Sequence, residues 1–268
     1  LQETNDMRSL FKNPKVIIGM VHLKAMPGFP GYCGSFQEII DFAVNDATTL
    51  EKGGVDGLIV ENIFNRPRQK TVGPETVAPM TLILKEVLDA VKIPVGLKVL
   101  FNSFKEQIAM ANVTGANFVR ISVWVDATVT VAGVIEGCAA EAIRYRKMID
   151  AEQIRILADV HIKHGAQLAY RPIEHAAADA VGSGMADGLV VSGERTGQPT
   201  NIEDVAAVRS AVGDKLLLVG SGITVETVGS FLKYADGAIV GTYFKVGGVL
   251  ANPVDEDRVR GLVKRVRS

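Results

Sequence analysis

The stretch 215–245, KLLLVGSGITVETVGSFLKYADGAIVGTYFK, constrains the fold more than any other part of the chain. The apolar run 216–219 is short and stops at Gly220, Ser221 and Gly222. A helical pattern then fills 224–232, and a second apolar run, 238–240, meets Gly241 and Thr242. Strand, glycine turn, helix, strand, glycine turn is a βαβ unit, which sets both turns at the same ends of adjacent parallel strands. Glycines there let backbone amides approach an anion. In a closed eight-stranded α/β barrel, the turns after strands seven and eight are the usual phosphate cradle. The segment therefore predicts a place for a phosphate before it predicts a reaction. Taken alone, the same glycines serve equally well as tight chain reversals.

Upstream, the pattern repeats. Apolar runs at 16–21, 55–60, 95–100, 117–123, 154–160 and 186–191 precede those at 215–219 and 236–240, with amphipathic segments between them. Ser35 with Glu38 and Ser103 with Glu106 have capping-box spacing, Pro74 suits a first helical turn, and Asn201 suits an N-cap. A long helix is expected over 136–151, a closing helix over 255–266, and a small extra strand within the alternation that runs to Val134. With 268 residues and no Pro- or Ser-rich linker, the chain reads as α/β, a closed (β/α)8 TIM barrel in one domain over 14–268. Residues 1–13 read as a tail or bottom-face extension. Asp56, Asp187 and Asp236 each precede a glycine and an apolar strand. This echo sits at strand starts, the stability face of a barrel.

Lys plus Arg number 29 against 30 Asp plus Glu, a formal charge of -1, so no global attraction to nucleic acid or acidic membrane is expected. The two cysteines, Cys33 and Cys138, form neither a CxxC nor a zinc spacing, and the apolar runs break well before a membrane-spanning length. A cytoplasmic protein without integral membrane association is expected. The apolar, alanine-rich helix faces suggest a homo-oligomer, a dimer first.

Strand exits carry the candidate chemistry. As catalytic groups we single out Glu61, Lys98, Asp159 and His161. As ligand-binding groups we single out His22, Asn62, Arg120, Asp126, Lys163, Ser192 and Gly193, together with the turn residues Gly220, Ser221, Gly222, Gly241 and Thr242. Lys98, between Leu97 and Val99, points opposite to both, which suits an anion contact, acid–base work, an iminium or a plain ion pair with Glu61 or Asp159. Asp159 and His161, two residues apart, share a face if the strand continues. No strong metal motif is present. No cofactor is assigned, though a divalent ion remains compatible with the carboxylates and histidines. The loop 192–197 has a phosphate-contact composition without the Walker pattern, so nucleotide hydrolysis is not supported.

These exits also carry a resemblance. GMVHLKAMPG at 19–28, GGVDG at 53–57, Glu61-Asn62, VGPETVAPM at 72–80, VSG at 191–193, GSGI at 220–223 and VGTYFK at 240–245 resemble the motifs of the BtpA/SgcQ family across nearly the whole chain. The resemblance implies a barrel of the ribulose-phosphate-binding group. One branch of that family is associated with photosystem I biogenesis and another with carbohydrate uptake and metabolism. The forms GSG at 220–222 and HIK at 161–163 differ from the SgcQ-like pattern. The expected function is an enzyme acting on a phosphorylated sugar or similar metabolite by isomerisation, epimerisation or aldol chemistry. The alternatives are a non-catalytic assembly or scaffold protein that keeps the anion cradle, and a nucleoside- or nucleotide-processing barrel with Trp124 and Phe101 near the base.

Overall fold

The structure, a computed structural model, describes residues 6–193 and 200–268. Eight parallel strands close into a barrel: β1 (Val16–His22), β2 (Gly57–Glu61), β3 (Val95–Lys98), β4 (Phe118–Ile121), β7 (Arg155–Val160), β9 (Gly188–Ser192), β10 (Leu216–Gly220) and β11 (Gly237–Val240). Between them lie α1 (Phe36–Lys52), α2 (Pro74–Ala90), α3 (Phe104–Thr114), α4 (Ala139–Met148), α5 (Ile173–Val181), α6 (Ile202–Val212) and α7 (Val228–Phe231), and α8 (Glu256–Arg267) follows the last strand. Three short strands, β5 (Ala127–Thr130), β6 (Gly133–Glu136) and β8 (Gly165–Gln167), grow from the loops after β4 and β7 into an antiparallel sheet of order β6-β5-β8.

Each barrel strand falls within a few residues of its expected position. The expected helix over 136–151 begins later, at Ala139, because Glu136 is held in β6 opposite Ala127. The helix expected over 224–232 contracts to Val228–Phe231, because Thr224 and Thr227 bond each other's main chain in a turn: the Thr224 amide donates to Thr227 Oγ1 at 3.0 Å. Ser35 and Asn201 cap as expected, accepting from the Glu38 and Glu203 amides. Ser103 occupies its N-cap position but spends its hydroxyl elsewhere, accepting from the Val72 amide at 2.9 Å.

The core has two layers because successive strand residues face opposite ways. Ile17, Leu58, Leu97, Val119, Ile156, Leu189, Leu217 and Ala238 face the helices. Ile18, Ile59, Phe118, Leu157, Val190, Leu218 and Ile239 fill the barrel itself. Burial on both faces explains why the strands read as continuous apolar runs rather than as alternation. Met7, on the 3-10 turn Met7–Leu10, and Phe11 close the bottom of this interior. Gly57 and Gly188 make room for them, since a β-carbon at these positions would meet the Phe11 ring at 3.0 Å and the Met7 sulfur at 3.2 Å. Of the expected tail, residues 1–5 lie outside the described residues, while the described part from Asp6 onward packs as this stopper.

The Asp-Gly echo has a structural meaning. Asp56, Asp187 and Asp236 each accept the amide of the second residue of the preceding barrel strand, from Ile17, Ile156 and Leu217 at 2.7–2.8 Å. Each aspartate is also held by arginine: Arg267 on Asp56, Arg146 on Asp187, and Arg8 and Arg209 on Asp236. Asn117 does the same for Val95 at 2.9 Å. The barrel is thus latched in four successive strand pairs. The fourth latch escapes the sequence pattern because it is Asn-Phe rather than Asp-Gly.

Candidate active site

Along each barrel strand, the inward pleat that carries apolar side chains through the middle ends, at the exit, on a different kind of residue. Following Met20, Ile59, Gly96, Phe118, Leu157, Val190, Leu218 and Ile239 two residues onward gives His22, Glu61, Lys98, Arg120, Asp159, Ser192, Gly220 and Gly241. Ladder register sets His22 beside Glu61 and Glu61 beside Lys98. The top layer of the interior is therefore charged on one side and glycine-lined on the other.

On the charged side, Asp159 serves two cations. Lys98 Nζ donates to Oδ2 at 2.6 Å, and Arg120 donates to Oδ1 through Nε at 2.9 Å and Nη2 at 2.6 Å. Nη2 also reaches Ser192 Oγ at 3.3 Å. Burial pushes the Asp159 carboxyl up, but Arg120 and Lys98 outweigh it and hold it below the usual carboxylate range. Glu61 is likewise held low: burial opposes ionisation, and Lys98, followed by other nearby positive charge, overcomes it. His22 Nε2 lies 3.5 Å from Glu61 Oε2, yet burial drives its pKa down to about 3, so the imidazole is neutral. Among the described residues, nothing bonds its buried Nδ1.

Lys163 completes the group from the loop after β7. Burial lowers its pKa to about 8, with Glu61 pulling it back up and Arg120 and Lys98 pressing it down. Among the described residues no hydrogen bond or ion pair engages its ammonium.

A cavity of about 400 Å³ opens above this layer, with Glu61, Arg120 and Lys163 on one wall and the turns after β10 and β11 on the other. Ser221 and Gly222 both take left-handed backbone, φ 75° and 64°. Valine at Gly222 would be strained there. Among the described residues no partner takes the amides of Gly222, Thr242 or Tyr243. Gly241 keeps its turn clear of the imidazole, since a β-carbon would meet His22 Cε1 at 2.7 Å. Arg258, on the first turn of α8, also lines the cavity, stacked 4.6 Å from the Tyr243 ring centroid. Arg258 and Tyr243 were not singled out from sequence. Arg258 reaches the mouth only through barrel closure, and no local motif marks it.

Other candidates lie apart. Asn62 accepts from the Leu100 amide at 2.9 Å and does not line the cavity. The face expected to join Asp159 and His161 does not form: β7 ends at Val160, and His161 turns away with φ 50°. His161 and Asp159 nonetheless both border one small space, which Asp126, paired with Arg171, also lines. Burial lowers the His161 pKa and Asp126 opposes the shift. Gly193 is the last described residue before 194–199, so the rest of the expected 192–197 contact loop lies outside the described residues. Trp124 is buried with its indole donating to Ala180 O, and neither it nor Phe101 lines the main cavity. Lys98 is already paired, whereas Lys163 faces the cavity. Among the described residues no group of three or more His, Cys, Asp or Glu could hold a metal ion.

A solved N-(5'-phosphoribosyl)anthranilate isomerase from Pyrococcus furiosus superposes with TM-score 0.58 at 12% identity, covering 94% of this chain and 98% of that one. The likeness is one of fold, a barrel shared with phosphate-binding enzymes. An uncharacterised protein of Pyrococcus furiosus is 39% identical over 262 residues, 98% of each chain. The Photosystem I biogenesis protein BtpA of Synechocystis is 36% identical over 260 residues, 97% of this chain and 90% of that one. The sequence pattern that defines the BtpA family matches residues 13–268, and with relatives this similar over nearly the full length, the chain belongs to the BtpA family.

Proposed function

We propose that this protein binds a small phosphorylated molecule in the barrel mouth and acts with that ligand as an assembly or biogenesis factor. The observation that carries the binding is the pair of turns whose unpaired amides, at Gly222, Thr242 and Tyr243, border one cavity with Arg258. The relative named as a biogenesis protein, similar over nearly the whole length, supports the accessory role over turnover of a phosphosugar. Isomerisation, epimerisation or aldol chemistry on a phosphosugar is the second reading, favoured by the buried Glu61 on the same cavity wall as Lys163, which no described residue pairs. Cytoplasmic location, a role in carbohydrate metabolism and a homodimer are proposals of the same kind. Among the described residues no helix is long and apolar enough to cross a membrane.

Calorimetric titration with inorganic phosphate and phosphosugars tests the binding. Wild type and Lys24→Ala, whose lysine rests on the Phe42 ring outside the cavity lining, should bind alike. A folded Gly222→Val should bind at least about tenfold more weakly, the equivalent of roughly 1.4 kcal/mol. Equal affinity in all three rejects the cradle. Phosphorus NMR of the same mixtures separates the two roles, since a new phosphorylated product establishes turnover and displaces the accessory reading.

A further inference from the structure

We infer that Lys163 captures the carbonyl group of a phosphorylated aldehyde or ketone as an imine, while the turns after β10 and β11 hold the phosphate. This rests on the cradle reading above and narrows it to one class of ligand.

The three cations of the charged wall differ in their engagements. Lys98 and Arg120 are both bound by Asp159, which fixes them as structural charge and leaves neither amine nor guanidinium available. Lys163 shares their surroundings without sharing the carboxylate. Its side chain borders the cavity, and no described residue bonds it. A half-buried lysine that no described residue pairs adds little to stability, since its partial desolvation is not offset by a partner. The same withdrawal suits a nucleophile, because an amine must shed its proton before it can attack. With a pKa of about 8, a substantial fraction of Lys163 is neutral near pH 7.5.

The remaining requirements lie on the same cavity. An anion grip forms the opposite wall, and Glu61, ionised and facing the lysine's side of the space, can accept and return a proton. The neutral Lys163 Nζ attacks the carbonyl carbon, the nitrogen–carbon bond forms, and the carbon–oxygen π pair moves to oxygen, which takes up a proton. Nitrogen gives a proton to Glu61, which passes it to the hydroxyl. The carbon–oxygen bond then breaks, water leaves, and the nitrogen lone pair completes the iminium. Counted from the ammonium form, one carbonyl and one ammonium become one iminium and one water, with no oxidant, reductant or net proton required.

The test uses the full chain with glyceraldehyde 3-phosphate, non-phosphorylated glyceraldehyde and borohydride, read by intact mass and peptide mapping. The expected result is one reduced adduct per chain on the Lys163 peptide. It should form roughly tenfold or more faster with the phosphorylated aldehyde, as expected when binding raises effective concentration, and excess inorganic phosphate should suppress it. Lys163→Met and Lys163→Arg, checked for folding by circular dichroism, should both lose the adduct, the arginine variant showing that charge alone does not suffice. An adduct that maps to other lysines, or survives in either variant, overturns the inference. Absence of the Lys163 adduct while calorimetry still detects phosphate binding overturns it and leaves the cradle standing. Equal labelling by the two aldehydes overturns both.

Discussion

Asp159 neutralises two buried cations at once, so its loss should be felt more than the loss of either partner. Asp159→Ala removes the carboxylate that both Lys98 and Arg120 bond and leaves the two buried cations with Glu61 as their nearest carboxylate, and we expect a destabilisation of about 3–5 kcal/mol by urea unfolding. Lys98→Met should cost less, because Arg120 still satisfies the carboxylate through two nitrogens. His22 makes a pH prediction of definite sign. Its folded pKa, about 3, lies below the free-imidazole value of 6.5, so the unfolded chain binds more protons between these values. Stability should fall as pH drops through that window, by about 1.4 kcal/mol per pH unit. His22→Asn should flatten the decline when urea midpoints at pH 7 and pH 5 are compared; equal slopes would reject a neutral, buried His22. Much of this site was legible in the sequence, since His22, Glu61, Lys98, Arg120 and Asp159 all stand where apolar strands end. Pairing was not legible: nothing in the local sequence says that Asp159 would take both Lys98 and Arg120 and leave Lys163 alone. Nor does sequence period foresee that His161 would leave the strand through a left-handed turn.

Strands and latches obey a plainer logic. Parallel strands covered on both faces read as continuous apolar runs, and so the eight runs showed through the sequence to within two residues at each end. Helix ends were less legible, because a serine or threonine hydroxyl can serve its own helix or another segment, as Ser103 does for Val72. Each aspartate latch gives a graded prediction. Asp187→Ala removes the acceptor of the Ile156 amide and the counterion of Arg146, which should cost about 1–3 kcal/mol. Asp187→Asn keeps an acceptor oxygen and should cost less. Thermal denaturation of the two variants in parallel checks the order, and equal losses would mean that the charge, not the acceptor, carries the latch.

For the whole molecule, the sequence expects a homodimer from apolar, alanine-rich helix faces. In the alanine-rich α5, Ala176, Ala177 and Ala180 are buried within the barrel's own helix layer. Val131, Leu168 and Tyr170, beside the small antiparallel sheet, are among the apolar groups left exposed. Light scattering over a wide concentration range decides the matter, and a monomer mass throughout rejects the dimer. The four latches carry a different implication, about how the chain divides. Asp56 with Ile17, Asn117 with Val95, Asp187 with Ile156 and Asp236 with Leu217 each join neighbouring strands, and none reaches across the turn at Asp150 between α4 and β7. A chain severed at Asp150 keeps every one of these amide bonds inside one fragment or the other and leaves the Arg146–Asp187, Arg267–Asp56 and Arg8–Asp236 pairs to join the two, whereas one severed at Ser183, between β7 and β9, parts Asp187 from Ile156. Co-expressed halves cut at Asp150 should reassociate into a barrel and co-purify, while halves cut at Ser183 should do so poorly: the quarter, not the single strand, is the unit in which this barrel is built.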